Sequence, residues 1–211
     1  PIFHDVSPYE GFNPSQFEED LQGWGSESQV FDIIIERIQP QLIIEVGTWK
    51  GASAVRMANI LKKNKIRAAI ICVDTWLGEA NHWYRPEWRS SLQLKNGFPN
   101  FYYQFIANVM KNGHEDTIIP IPQTSRSACD WFRKSGLLPN VIYLDGSHEE
   151  ELVSLDCYDF WELLAPGGVL FGDDYGGNLN KGVKRAVDKF CKQIIKTPTI
   201  IENKWILTKP A

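Results

Sequence analysis

Hydrophobic positions fall into two rhythms along the chain. Short apolar runs stand at "LIIEV" (42–46), "RAAIICVD" (67–74), "TIIPIP" (117–122), "NVIYLDG" (140–146) and "GVLFGDDY" (168–175). Runs this short, flanked by turn residues, predict buried strands. Segments with helical spacing lie between them: "KGASAVRMANILKKN", "NFYYQFIANVMKNG", "SRSACDWFRKSG", "EEELVSLDCYDFWELLAPGG" and "NKGVKRAVDKFCKQI". In the first of these Ala54, Met57, Ala58 and Leu61 share one face. Upstream, "NPSQFEEDLQGWG" carries a cap residue, early acids and a glycine stop, which predicts a short helix. "SESQVFDIIIERIQP" repeats that grammar, with Ser26 or Ser28 as cap, Val30, Ile33, Ile34 and Ile38 as the apolar face and Pro40 as the stop. "PTIIEN" and "KWILTKP" close the chain as two short antiparallel strands around Asn203 and Lys204.

Strands alternating with helices predict an α/β fold, a doubly wound, mostly parallel seven-stranded sheet with a terminal antiparallel pair. The prolines of "TIIPIP" place that strand near a sheet edge. Residues 1–40 are expected to form an N-terminal arm and helices packing on a core domain of residues 41–211. Residues 75–99 are longer than an ordinary connection and directly follow a strand, so they are expected to act as a lid-like insertion. Right-handed crossovers bring the C-terminal strand ends to one edge, where ligands bind.

Composition narrows the class. A net charge of −4 offers no basic footprint for nucleic acid. No apolar run reaches the length of a membrane span. The N-terminal residues lack the basic-then-apolar order of a signal peptide, and Cys72, Cys129, Cys157 and Cys191 are dispersed, which is the pattern of structural thiols. A cytoplasmic location is expected.

The strand ends carry the candidate chemistry. Glu45 precedes Gly47 and Gly51, Asp74 ends the second strand, Asp145 leads into Gly146, Ser147 and His148, and Asp173 and Asp174 end the fifth. Acids are poor strand residues. Any one of them could cap a following helix, but four of five parallel strands ending in carboxylates is a pattern packing does not explain. The turn is neither a P-loop, which needs Gly-Lys-Ser/Thr, nor a G-x-G-x-x-G dinucleotide turn. Glu45 beside it would oppose a pyrophosphate and suits a cationic ligand, such as a sulfonium cofactor with an amino-acid tail. Asp74, 27 residues after Gly47, has two oxygens suited to a vicinal ribose diol.

"EVGTWKGAS", "VDTW", "LDGSH" and "LLAPGGVLFGDDY" together resemble the class I, Rossmann-like S-adenosylmethionine-dependent methyltransferases, over about Leu42 to Leu207. "LDGSH" and "GDD" look most similar to the metal-dependent sugar O-methyltransferases of macrolide and aminocoumarin metabolites, a subgroup also labelled cephalosporin-hydroxylase-like. No iron-binding His–His–carboxylate set accompanies that label here. The resemblance implies that Glu45, Gly47, Thr48 and Gly51 surround the methionine part and that Asp74 binds the ribose. It sets Thr75 or Trp76 against the sugar or adenine, and Gln123, Thr124 and Ser125 against the adenine. It further implies that Asp145, Asp173 and Asp174 hold Mg²⁺ or a similar divalent ion, with Asp145 also counted among the cofactor-lining and catalytic positions, and that His148 is the general base. The expected reaction is methyl transfer to a hydroxyl of a small molecule, a sugar or glycosylated metabolite being the first choice, with no nucleic-acid or membrane partner and a homodimer left open. The alternatives are a nicotinamide-dependent oxidoreductase and a non-catalytic cofactor-binding module. The aromatic and basic stretch "HWYRPEW" in the insertion suits a sugar or aromatic acceptor.

Overall fold

A computed structural model describes residues 3–176 and 181–211 of the 211-residue chain. Its seven strands are β1 (Leu42–Val46), β2 (Ala69–Asp74), β3 (Ile118–Pro122), β4 (Val141–Leu144), β5 (Val169–Gly172), β6 (Thr199–Ile201) and β7 (Lys204–Thr208), in the spatial order β3-β2-β1-β4-β5-β7-β6. Strands β1 to β5 run parallel and β7 lies antiparallel between β5 and β6. The proline-bearing β3 is an edge strand, where a missing N–H costs no ladder bond.

The helices are α1 (Val30–Ile38), α2 (Ala52–Lys63), α3 (Ala80–Tyr84), α4 (Pro86–Arg89), α5 (Phe101–Lys111), α6 (Ser125–Lys134), α7 (Glu150–Leu163) and α8 (Lys181–Gln193). The expected start of the last helix at Asn180 lies outside the described residues. Two apolar cores flank the sheet. Ile43, Ile70, Cys72, Tyr143 and Phe171 face α1, α2 and α5, while Ile44, Ile71, Ile142 and Leu170 face α6, α7 and α8. The period-two alternation of strands distributes these residues, and both faces being covered explains the nearly unbroken apolar runs. All four cysteines are free and buried. Among the described residues no helix is long and apolar enough to cross a membrane.

Two expectations upstream of the sheet are corrected. "NPSQFEEDLQGWG" forms only a 3-10 turn over Pro14–Gln16. The rest is irregular because its polar groups are satisfied by the core domain. Asn108 donates to the Asp20 carbonyl at 2.8 Å and accepts from the Asp20 N–H, and Lys50 Nζ stands 2.6 Å from Asp20 Oδ2. Ile33, expected on the apolar face of α1, is solvent-exposed, whereas Val30, Phe31, Ile34 and Ile35 are buried. Residues 75–99 are not a bare loop. They hold α3, α4 and a 3-10 turn at Ser90–Leu92, anchored by the fully buried Leu92.

Candidate active site

The sheet reverses direction of construction between β1 and β4, the switch point where α/β folds bind ligands outside their C-terminal strand ends. Register organises what stands there. Glu45 pairs with Cys72 on one side and Tyr143 on the other, and Tyr143 pairs with Phe171. Two residues further, the same face presents Asp74, Asp145 and Asp173. Because Gly172 pairs with Trp205 in the antiparallel ladder, one more step sets Lys204 opposite Asp173.

The β1 turn is shaped by backbone constraints. Gly47 has φ of 84°, and a Cβ there would collide with the Asp145 carbonyl and the Cα of Gly146. The turn therefore lies directly on the end of β4. Gly51 has φ of 90° at the start of α2, and a Cβ would come within 2.9 Å of the Phe105 ring. Both positions need glycine.

Glu45 sits beneath this turn and does not line it. It is completely buried, accepting from Thr48 Oγ1 at 3.1 Å, from Ser53 Oγ and from Cys72 Sγ at 3.4 Å. Burial pushes its pKa up to about 7, against the hydroxyl bonds that favour the charged form. Thr48 is also buried, and the pair braces the turn from below. Asp74 is half-buried at the edge, and burial raises its pKa against the backbone hydrogen bonds it accepts. Its Oδ2 accepts from the Trp49 N–H at 2.9 Å and its Oδ1 from the Trp76 N–H at 2.8 Å. The Thr48 and Thr75 N–H groups also hydrogen-bond this carboxylate, so four backbone donors fix its orientation at the edge. Trp76 faces inward. Its indole is buried, donates to the Trp49 carbonyl at 2.9 Å, and packs on Tyr102 and Phe105, leaving Thr75 as the exposed neighbour of Asp74. Gln123 and Thr124 are exposed at the end of β3, with Thr124 capping α6 through the Ser127 N–H and Ser125 hydrogen-bonded to Asp156.

On the β4–β5 side the carboxylates meet cations. Lys204, itself buried, places Nζ 2.6 Å from Asp173 Oδ2 and 3.1 Å from the Tyr143 hydroxyl. That hydroxyl donates to Asp145 Oδ2 at 2.9 Å. Burial and the Asp173 charge push the Asp145 pKa well up, opposed by Lys204. His148 Nε2 stands 2.8 Å from Asp174 Oδ2, and its Nδ1 stands 3.4 Å from Glu79 Oε1 of the insertion. Hydrogen bonds to Asp174 and then Glu79 raise the imidazole pKa to about 10, so as arranged the ring holds its proton and is not yet a base. Asn203 Nδ2 reaches Asp174 Oδ1 at 3.3 Å. Asp174 adopts φ of 61°, a left-handed conformation that turns its side chain toward His148. A small cavity here is lined by Asp145, His148, Asp156, Asp173, Asp174 and Trp205.

These contacts bring all three acids of the expected metal set to one corner but do not fit a divalent ion. Among the described residues no group of three or more His, Cys, Asp or Glu side chains could hold a metal. One oxygen of the Asp173 carboxylate, Oδ2, is already engaged by a buried ammonium.

The insertion closes the edge from above. His82 is buried with its ring stacked on Trp49 at 4.6 Å, and Trp88 stacks on Trp24 of the arm at 5.8 Å with planes 14° apart. Residues that sequence reasoning missed are Lys204, Tyr143, Glu79 and Asp156. Lys204 had one signal, a lysine opening an otherwise apolar strand beside Asn203.

Comparisons with known proteins agree with this architecture. No curated protein matches the chain. The O-methyltransferase NovP superposes with a TM-score of 0.63 at 17% identity, covering 87% of this chain and 79% of NovP. The calicheamicin methyltransferase CalS11 gives 0.63 at 14% identity, over 85% of this chain and 77% of CalS11. The O-methyltransferase TomG from Streptomyces achromogenes, solved with SAM, gives 0.58 at 12% identity, over 90% and 82%. At these identities the likeness is one of fold. A family model described as a methyltransferase domain matches residues 44–175, from β1 through the end of β5, and by that match the chain belongs to the methyltransferase-domain family.

Proposed function

We propose that the chain transfers a methyl group from S-adenosylmethionine to a hydroxyl of a small molecule, with a sugar or glycosylated metabolite as the first choice of acceptor. The observation that carries this reading is the contact of the Gly47 turn with the Asp145–Gly146 backbone. It sets a seat for the cofactor's amino-acid end directly against the strand end that bears His148.

The donor set suits the cofactor. Asp74, its carboxylate oriented by backbone N–H groups, turns toward the ribose hydroxyls, Thr75 flanks it, Gly47 and Gly51 let the backbone approach, and Gln123, Thr124 and Ser125 form an open polar rim for the adenine. When bound, S-adenosylmethionine supplies an electrophilic methyl group on a sulfonium. The protein's remaining work is alignment and proton removal. Glu79 is a placeholder at His148 Nδ1. An acceptor hydroxyl that displaces it removes one of the two carboxylates holding the ring proton, so the imidazole returns toward neutrality and Nδ1 can accept the hydroxyl proton. Asp174 stays on Nε2, orienting the ring and stabilising the imidazolium that forms. The insertion, with its aromatic face, acts as the lid over that acceptor. The magnesium expected beside these residues forms no step here, since Asp173 is engaged by Lys204.

Calorimetric titration with S-adenosylmethionine and S-adenosylhomocysteine, with NAD as control, tests the reading. Micromolar binding of the two sulfur ligands alone is expected. Silence toward both, or a preference for NAD, would sink it.

A further inference from the structure

We infer that Lys204 is the built-in cation of this site, standing in place of the divalent metal that the cluster of Asp145, Asp173 and Asp174 would otherwise take, and that the enzyme therefore works without metal. The inference rests on the methyltransferase reading for its relevance to turnover, but its test on metal ions alone does not.

Four observations support it. The Lys204 side chain is 2% exposed and its partner Asp173 9% exposed, so the ammonium is a fixed element and not a surface charge resting on an acid. Nζ has 2.6 Å to Asp173 Oδ2 and 3.1 Å to the Tyr143 hydroxyl, and that hydroxyl passes the interaction to Asp145 at 2.9 Å. One ammonium thus serves two of the three acids. The rings of Phe31 and Tyr143 lie 5.1 and 5.0 Å from Nζ, which adds cation–π attraction on the sides that carboxylates leave open. Finally, the arm closes the remaining approach. Gly25 has φ of 66°, and a Cβ there would collide with Asp173 Oδ2 and lie 3.1 Å from Nζ.

A magnesium ion needs near-octahedral oxygen ligands at about 2.1 Å and keeps several waters. Asp173 Oδ2 is flanked by the ammonium and the Gly25 backbone, and Oδ1, on the cavity side, accepts from the Asp174 N–H at 2.8 Å. A second cation would also meet the ammonium at close range in a poorly screened interior. The antiparallel β7 is what delivers the charge, since its first residue lands opposite the residue after β5. Without a metal, the acceptor need not chelate through two oxygens, so a single hydroxyl is sufficient for binding and the proton-removal burden falls on His148 and Asp174.

The test titrates the chelator-treated full chain with Mg²⁺ and Mn²⁺ by calorimetry and follows Mn²⁺ by water proton relaxation. The wild type is expected to bind neither ion in the low millimolar range, and S-adenosylmethionine affinity is expected to be the same with and without Mg²⁺. Lys204→Ala opens the space and is expected to gain Mn²⁺ binding that a further Asp173→Asn removes. If Lys204→Ala is poorly folded, its melting temperature is expected to rise with added Mn²⁺. Wild-type metal binding that Asp173→Asn abolishes would overturn the inference. So would a Lys204→Ala chain as blind to Mn²⁺ as the wild type, in relaxation or in thermal melts. Failure of S-adenosylmethionine to bind would remove the methyltransferase reading while leaving the metal titrations to decide Lys204.

Discussion

The two halves of the strand-end edge satisfy their carboxylates in opposite ways. On the β1–β2 side Glu45 and Asp74 are held by neutral donors: hydroxyls, a thiol and backbone N–H groups. On the β4–β5 side Asp173 and Asp174 meet an ammonium and an imidazole. Neutral donors fix a shape without fixing a charge, which suits a seat for a bound molecule. Paired ions fix a charge distribution, which suits a place where a proton must move. Substitutions on the first half should therefore change cofactor binding most, and those on the second should change turnover and the stability that rests on paired charges.

The strongest way to break this contrast is Lys204→Met, which leaves Asp173 buried without its cation. Removing one partner of a buried pair costs about 3–5 kcal/mol, and urea melts should show that loss, most of it recovered in the Lys204→Met/Asp173→Asn double variant. Gly47→Val comes next. It forces a β-branched residue to φ of 84° against the Asp145 carbonyl, a strain of about 1–3 kcal/mol, and calorimetry should find S-adenosylmethionine binding lost. Asp74→Ala should keep the fold and weaken cofactor binding by roughly tenfold to a hundredfold, the usual worth of hydrogen bonds to a charged group.

Two pH windows sharpen the contrast further. The Glu45 carboxyl binds its proton more tightly folded, about 7 against 4.5. Stability from that proton is fully present below 4.5 and is lost as pH rises through about 7; Glu45→Gln should flatten thermal stability across this range. The His148 imidazole is likewise raised, from 6.5 to about 10. Its contribution is complete below 6.5 and disappears as pH climbs through about 10, so His148→Gln should flatten only the alkaline window. The smallest effect is expected for Glu79→Gln, a partly exposed pair whose loss should move stability by under about 1 kcal/mol while lowering the pKa of His148 seen by NMR titration.

The strands, the edge position of β3 and the terminal antiparallel pair were readable because apolar runs, prolines and turn residues are local signals, whereas the order of the other strands is set by pairing between distant segments. The acids at the strand ends were readable for the same reason. Which side of the sheet they face was also available: Glu45 shares the parity of Ile43, so it points into the α1/α2/α5 core beneath the turn. The arm was misread because its cap-and-acid pattern resembles a helix, while Asp20 and its neighbours are satisfied by Asn108 and Lys50 far away in sequence. Lys204 was hidden for a related reason. Its partnership with Asp173 depends on an antiparallel register that no local pattern encodes.

The stacked indoles of Trp24 and Trp88 have an optical consequence. Trp24 adjoins Gly25, which covers the Lys204–Asp173 pair, and Trp88 belongs to the insertion over the cofactor edge. Two near-parallel indoles 5.8 Å apart couple their electronic transitions. The near-ultraviolet dichroism of that couplet is therefore an internal gauge of the distance between arm and insertion. Its decay in stopped flow would time, in one trace and without a label, both the uncovering of the buried charges and the admission of an acceptor.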